Sequence, residues 1–312
     1  MKDTNIFKYA TSELSQDAFI CFLVAHASEK SDIQVTARNF LEIILKSKGY
    51  SLKETSKIEI KKRYKNIDVL VIVDDIYIII EDKIFTNTHD NQVLRYKQTL
   101  IDENIDENKI ICVYYKTTEQ AHKEKNIDIE FKRKDLIKLF SKCKAENQSY
   151  VDYLEYLTDF ENQVNLYKTT PIENWGKVQY FGFFDELKTQ ILDEYSYDYK
   201  YVSNKQGGFS CFWIDDIIES PRSGDWFYIQ IENNKIVLKY TTVNDGCKVC
   251  RANLLKYFKD KISVENKAQR SGKYMSVCHL EYDEKDYAEK LRLMINTLKN
   301  CDLRNVVYNG EY

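Results

Sequence analysis

The stretch from Asn66-Ile67-Asp68 to Glu81-Asp82-Lys83 sets two carboxylates and an amine at the outer ends of two β-branched runs, NIDVLVIV and IYIIIEDK. Asp74-Asp75 is the only polar break between them, placed where a two-residue turn folds a strand back on itself. Given that turn, Val73 lies opposite Ile76, Val71 opposite Ile78, Val69 opposite Ile80 and Asp68 opposite Glu81. Directly opposed cross-strand residues have Cβ atoms roughly 4.5–5.5 Å apart, and like charges in that position repel unless something neutralises them. A divalent cation is the natural neutraliser. Lys83 stands two residues past Glu81 and so shares its face, adding an ammonium at the edge of the pair. Oxygen-only ligation with open positions suits Mg2+ or Mn2+, which keep waters and are completed by substrate phosphates.

The elements that must hold these groups are legible around them. The same register makes one ribbon face Val69, Val71, Val73, Ile76, Ile78 and Ile80, as a sheet face under helices should be. Asp68, Glu81 and Lys83 fall on the other face, while the Asp82 side chain points away from them. Residues 11–27 read as a helix, with Leu14, Ala18, Cys21, Phe22 and Ala25 at helical spacing and Glu13 in the first turn, where an acid suits the helix dipole. A second helix, about 33–48, stops at Lys48-Gly49, and a strand near 56–64 precedes the hairpin. Thr88 reads as the N-cap of a helix running to about 102, which puts Gln92 and Tyr96 at i, i+4 on one face. His89, in that first turn, reads as an ordinary surface residue rather than a proton carrier. Lys109 to Tyr115 is a short buried strand, and a helix-linked return of this kind runs parallel to its neighbour. An edge strand at 127–131 and helices at 133–144 and 148–167 close the unit.

Asp68 followed by Glu81-x-Lys83 at the end of the next strand resembles the PD-(D/E)xK nuclease superfamily, and the flanking pattern is similar to one of its bacterial families. Ile67 stands where that motif often has proline. QVLRY resembles the Q-x-x-x-Y element that follows the catalytic hairpin in one branch, and Glu13 resembles the first-helix glutamate that completes such metal sites. The resemblance implies a restriction-endonuclease-like α/β core, a mixed central sheet flanked by helices, and Mg2+- or Mn2+-dependent hydrolysis of phosphodiesters. It implies Asp68, Glu81, Lys83, Gln92 and Tyr96 as catalytic residues. The metal would be held by Asp68 and Glu81, with Glu13 and the backbone carbonyl of Asp82. The implied partner is nucleic acid, DNA ahead of RNA, with a homodimer left open, and the implied setting is restriction, repair or phage defence. The rival readings are a silent nucleic-acid-binding or protein-interaction module on the nuclease fold, and an RNA-directed nuclease.

At 312 residues and 43% hydrophobic content the chain can bury two cores, here divided as 1–168 and 169–312. After Pro171 a Tyr- and Phe-rich helix leads into strands near 199–203, 209–215, 226–231, 235–241 and 273–280, with helices near 248–261 and 284–299. That is a smaller α+β domain suited to recognition or sensing, without a hydrolytic constellation. No window of 18 apolar residues offers a membrane span, and the N-terminus lacks an apolar signal core, which reads as cytoplasmic. Eight scattered cysteines read as reduced thiols, and Cys247-Lys-Val-Cys250 finds only Cys278-His279 as a second half of a zinc site. A net charge of −3 is no footprint for nucleic acid, but Lys57, Lys61, Lys62, Arg63 and Lys65 run straight up to Asp68. A second basic run, Lys132, Arg133, Lys134, Lys138, Lys142 and Lys144, reads as a solvated face.

Overall fold

The computed structural model describes residues 4–86, 88, 91–191, 194–205, 207–243, 247–266 and 273–310, so His89 lies outside the described residues. The chain forms two compact units, Met1–Glu119 with Lys123–Gln163, and Gln120–His122 with Val164–Tyr312.

The first unit runs α1 (Glu13–Ala25), α2 (Gln34–Lys46), β1 (Ile58–Tyr64), β2 (Ile67–Val73), β3 (Ile76–Lys83), α3 (Gln92–Ile101), β4 (Ile110–Lys116), β5 (Ile129–Lys132), α4 (Arg133–Phe140) and α5 (Gln148–Asn165). Its sheet has the order β1-β2-β3-β4-β5. β1, β2 and β3 pair antiparallel, and β3, β4 and β5 parallel, so the sheet is mixed, as the hairpin followed by a helical crossover requires. Val69 pairs with Ile80, Val71 with Ile78 and Val73 with Ile76, the register set by the two-residue turn. Asp74 takes φ 55° there, a left-handed conformation that Asp tolerates better than the branched residues around it. Its side chain is fixed by the Lys57 N–H, which donates to Asp74 Oδ1 at 2.9 Å.

Alternation then sorts the strands onto two cores. Val69, Val71, Val73, Ile76, Ile78 and Ile80 pack with the apolar stripes of α1, α2, α4 and α5. Leu70, Ile72 and Ile79 pack under Val93, Tyr96 and Leu100 of α3 on the opposite face. The Tyr150, Tyr153 and Leu157 stripe of α5 is core packing, as its spacing suggests. α3 starts at Gln92 rather than at Thr88, because Asn91 immediately before it sits at φ 54° and interrupts helical geometry. Arg133 departs from the solvated basic face expected of it: it is buried, ion-paired to Glu119 and, at 2.8 Å, to Glu161.

The second unit contains α6 (Lys177–Ile191), β6 (Ser196–Val202), β7 (Phe209–Asp215), β8 (Asp225–Glu232), β9 (Lys235–Thr242), α7 (Lys248–Lys261), β10 (Glu265–Asn266), β11 (Tyr274–Glu281), α8 (Tyr287–Lys299) and α9 (Leu303–Tyr308). Its sheet is antiparallel, in the order β10-β11-β9-β8-β7-β6. The short α9, too brief for a periodic signal, is tied in by the Tyr308 hydroxyl, which donates to Asp225 Oδ2 at 2.6 Å. Cys247 and Cys250 are joined in a disulfide at the start of α7 instead of standing as free thiols. Cys278, the half of a zinc set that the sequence could offer but did not favour, belongs to the apolar core.

Ile78 is fully buried at the centre of β3. Ile78→Ala is expected to destabilise the first unit by about 2–5 kcal/mol, seen as faster amide exchange in β2 and β4. Unchanged exchange there would contradict the layered packing described.

Candidate active site

The functional side chains gather where β2 begins and β3 ends. Lys83 Nζ lies 3.5 Å from Asp68 Oδ2 and in direct ionic contact with Glu81. It also donates to the backbone carbonyl of Asp82 at 2.9 Å. The site is withdrawn from water, with Glu81 fully buried and Lys83 only 7% exposed. Asp68 Oδ2 and both carboxylate oxygens of Glu81 are buried and, the Lys83 ammonium aside, have no hydrogen-bond partner. Burial first, then the Asp68 charge, pushes the Glu81 carboxyl up to about 8. Burial works against the Lys83 ammonium, but Glu81 and Asp68 outweigh it and hold its pKa above the usual value.

Asp82 faces the other side, as strand alternation demands, and meets α1. Its carboxylate accepts from Gln16 Nε2. Gln16 Oε1 in turn accepts from the Tyr153 hydroxyl at 3.1 Å, and Tyr153 lies 3.0 Å from the Tyr115 hydroxyl. Because Tyr153 spends its proton on Gln16, Tyr115 must donate to Tyr153, and the chain of bonds runs in one direction onto Asp82. Burial nevertheless raises the Asp82 pKa well above the carboxylate range. The chain fixes the Asp82 backbone, and with it the carbonyl beside Lys83.

The loop after β3 is gripped from two sides. Glu13 Oε1 accepts from the Ile84 N–H at 3.1 Å and from the Thr86 hydroxyl at 2.8 Å. Lys116, at the end of β4 and paired with Lys83 across the parallel ladder, donates to the Ile84 carbonyl at 2.9 Å and to the Thr86 carbonyl. Burial pulls the Lys116 pKa down to about 8. On α3, Gln92 Nε2 donates to the Tyr96 hydroxyl at 2.7 Å. Burial raises the Tyr96 pKa, and the charges of Glu81 and Asp68 raise it further, which places the phenol in the field of the pair.

Of the residues picked from sequence, Asp68, Glu81 and Lys83 come together, Gln92 and Tyr96 bond to each other beside them, and Glu13 closes the strand end. The Asp82 carboxylate points elsewhere, and only its carbonyl faces Lys83. Sequence reasoning missed Asp17 and Lys116. Asp17 lies one helical turn past Glu13, an i, i+4 acid pair that was the available signal. Among the described residues, the only set of three or more His, Cys, Asp and Glu ligand atoms within 4.8 Å of one another is Glu265, His279 and Glu281, in the second unit. Glu13 therefore stands back from Asp68 and Glu81, held by the loop.

Buried carboxylate oxygens without hydrogen-bond donors are what a hard divalent cation binds, so the residues present fit such an ion. A mixed sheet whose hairpin ends in two carboxylates and an amine defines the class. A family model of the PD-(D/E)XK nuclease superfamily matches residues 4–194, and the chain belongs to that superfamily, whose nucleases use divalent metal ions. No curated protein and no solved structure matches the chain.

Asp17 gives a pH signature. Burial, then the Asp68 charge, raises its carboxyl from 3.8 to about 6. A raised folded-state pKa contributes stability that is complete below 3.8 and is lost as pH rises through about 6. Thermal melts in chelator should show the wild type losing stability across that window relative to Asp17→Asn. Parallel curves for the two proteins would contradict the burial of this carboxyl against Asp68.

Proposed function

We propose that the chain is a Mg2+- or Mn2+-dependent endonuclease acting on DNA, with Asp68, Glu81 and Lys83 as its catalytic set. The observation that carries this reading is the pairing of buried Glu81 with half-buried Asp68, whose buried oxygens have one ammonium, that of Lys83, as their polar partner. Asp68, Glu81 and the Asp82 carbonyl would hold the cation, while Glu13, expected among its ligands, would brace the loop after β3. When bound, it supplies charge for the phosphate oxygens and acidifies a water.

The chain's own groups do the rest. Lys83 stays charged because its carboxylate partners favour the ammonium, so it offers a fixed positive charge to the phosphate oxygens or orients the attacking water. Gln92 holds the Tyr96 hydroxyl from one side, positioning that phenol toward the substrate backbone. Lys116 and Glu13 keep the β3 exit from moving, which keeps the Asp82 carbonyl and Lys83 in place. Lys62 and Arg63 on β1 project charge onto Asp17, so the basic run adjoins the site and can engage flanking phosphates. DNA as substrate and a role in defence against foreign DNA rest on the superfamily membership.

Lys83→Ala and Asp68→Ala should each lower cleavage of plasmid DNA about a hundredfold or more while circular dichroism stays unchanged. Chelator should abolish cleavage, and binding should weaken with salt. Full activity of either variant, or cleavage undiminished in chelator, would sink the assignment, and cleavage of RNA alone would move the substrate.

A further inference from the structure

Helices pack on one face of the second unit's sheet. Phe227, Ile229 and Ile231 of β8 and Ile236, Leu238 and Tyr240 of β9 join the cluster built with α6, α7, α8 and α9. Their alternates point the other way and include Trp213, Trp226, Tyr228 and Tyr274. The register sets Trp226 and Tyr274 on either side of one small residue, each pairing directly with Thr241. Neighbouring strands are about 4.8 Å apart, so the two aromatic side chains rise from backbones roughly 10 Å apart with a threonine between them. Thr241 keeps low by donating to the Lys273 carbonyl at 2.8 Å. Trp226 and Tyr274 are 54% and 58% exposed, against the tendency of large aromatics to be covered. These four aromatic side chains, with Asp215 and Lys273, line a cavity of about 380 Å³.

The chemistry of the lining selects its occupant. Aromatic walls favour a flat ring, and stacking tolerates any π-face. Two rings already carry ammonium groups, Lys273 at 5.5 Å from the Tyr274 centroid and Lys200 at 5.3 Å from that of Trp213, which disfavours a cationic guest and supplies countercharge for an anionic one. The Asp215 carboxylate accepts N–H groups, so an aromatic hydrocarbon face alone would leave it unused. A flat heterocycle with donors on one edge and a phosphate on the other meets all three conditions.

We propose that this cavity binds a nucleobase, stacked between Trp226 and Tyr274, with an amino-bearing edge toward Asp215 and its phosphate toward Lys273. The base is taken either as a free nucleotide or within a single strand. The site uses none of the residues assigned to hydrolysis, so it stands or falls apart from the nuclease reading.

The chain has three tryptophans, and two of them line this cavity, which makes intrinsic fluorescence a direct reporter. The full-length protein in excess chelator is titrated with GMP, with UMP, and with short single-stranded DNA and RNA oligomers. Saturable quenching is expected, with GMP ahead of UMP because guanine offers two N–H donors to a carboxylate. Tyr274→Leu keeps every tryptophan and should weaken binding at least about fivefold. Trp226→Leu should remove most of the quench, and Asp215→Asn should narrow the gap between GMP and UMP. Quenching by GMP supports recognition of the base itself, and quenching by oligomers alone supports recognition of a strand. No saturable quench with any probe, or unchanged affinity in Tyr274→Leu, overturns the site, and equal binding of GMP and UMP overturns the role of Asp215. Asp68→Ala assayed in parallel should lose cleavage and keep the quench, so a failed nuclease reading leaves this result standing.

Discussion

A fully buried carboxylate cannot sit beside a second, half-buried one on a sheet without a positive partner, and the first unit is organised around that constraint. Asp68 and Glu81 face each other because the hairpin register leaves no alternative, and Glu81 has no access to water. The desolvation cost of such a pair is several kcal/mol per ion before any compensation. Lys83 offsets part of it by contact with both acids, yet it cannot hydrogen-bond all of their oxygens. A fold selected for stability alone would gain by replacing the trio with apolar residues, so its presence points to chemistry.

The strands around β3 show how that cost is contained. On one side β2 supplies Asp68, and on the other β4 supplies Tyr114 and Lys116, paired with Glu81 and Lys83 respectively. The Tyr114 ring shields the ladder from water, while Lys116 turns its ammonium from the acids to the loop carbonyls. Two buried lysines thus sit side by side with different tasks. Lys83 contacts the carboxylates and is held charged, whereas Lys116 donates to loop carbonyls and is drawn toward neutrality by burial, which outweighs the charges of Glu13, Asp82 and Glu119. The bonds from Tyr115 through Tyr153 and Gln16 serve the opposite face, where Asp82 would otherwise be a third uncompensated acid.

The hairpin and its face assignment were legible because a period of two and a two-residue turn admit one register. Placing Asp68 against Glu81 needed nothing further. Lys116 was hidden at the end of a strand read only as apolar, since its meaning depends on a ladder partner more than thirty positions away. Asp17 was concealed by the apolar residues that follow it, since nothing in their spacing says that the carboxyl is buried against Asp68. Gln16 could not be read at all, because its partners Asp82 and Tyr153 come from distant elements. The start of α3 was misplaced by a cap signal at Thr88, overridden by the left-handed Asn91. The Q-x-x-x-Y pair needed only helical spacing to predict that its side chains meet, but spacing could not say that they meet beside the acids.

The second unit shows a sheet face whose polar centre is self-sufficient and whose aromatic margin is not. In the centre, Trp213 Nε1 donates to Gln230 Oε1 at 2.9 Å, and Lys239 donates to Ser276 Oγ at 3.1 Å while lying 3.8 Å from Glu232. Those bonds satisfy the buried polar atoms they join, so that part of the face gains nothing from a ligand. Trp226 and Tyr274 stand more than half exposed on either side of Thr241, the residue that both pair with. Removing either ring would expose little new core, because the apolar cluster lies on the far side of the strands. Burial in the core therefore does not account for two large rings on the same row, whereas a flat guest gains from a ring on either side. The same comparison separates the two units: in the first, a polar trio is buried where apolar packing would be cheaper, and in the second, aromatic rings are exposed where polar residues would be.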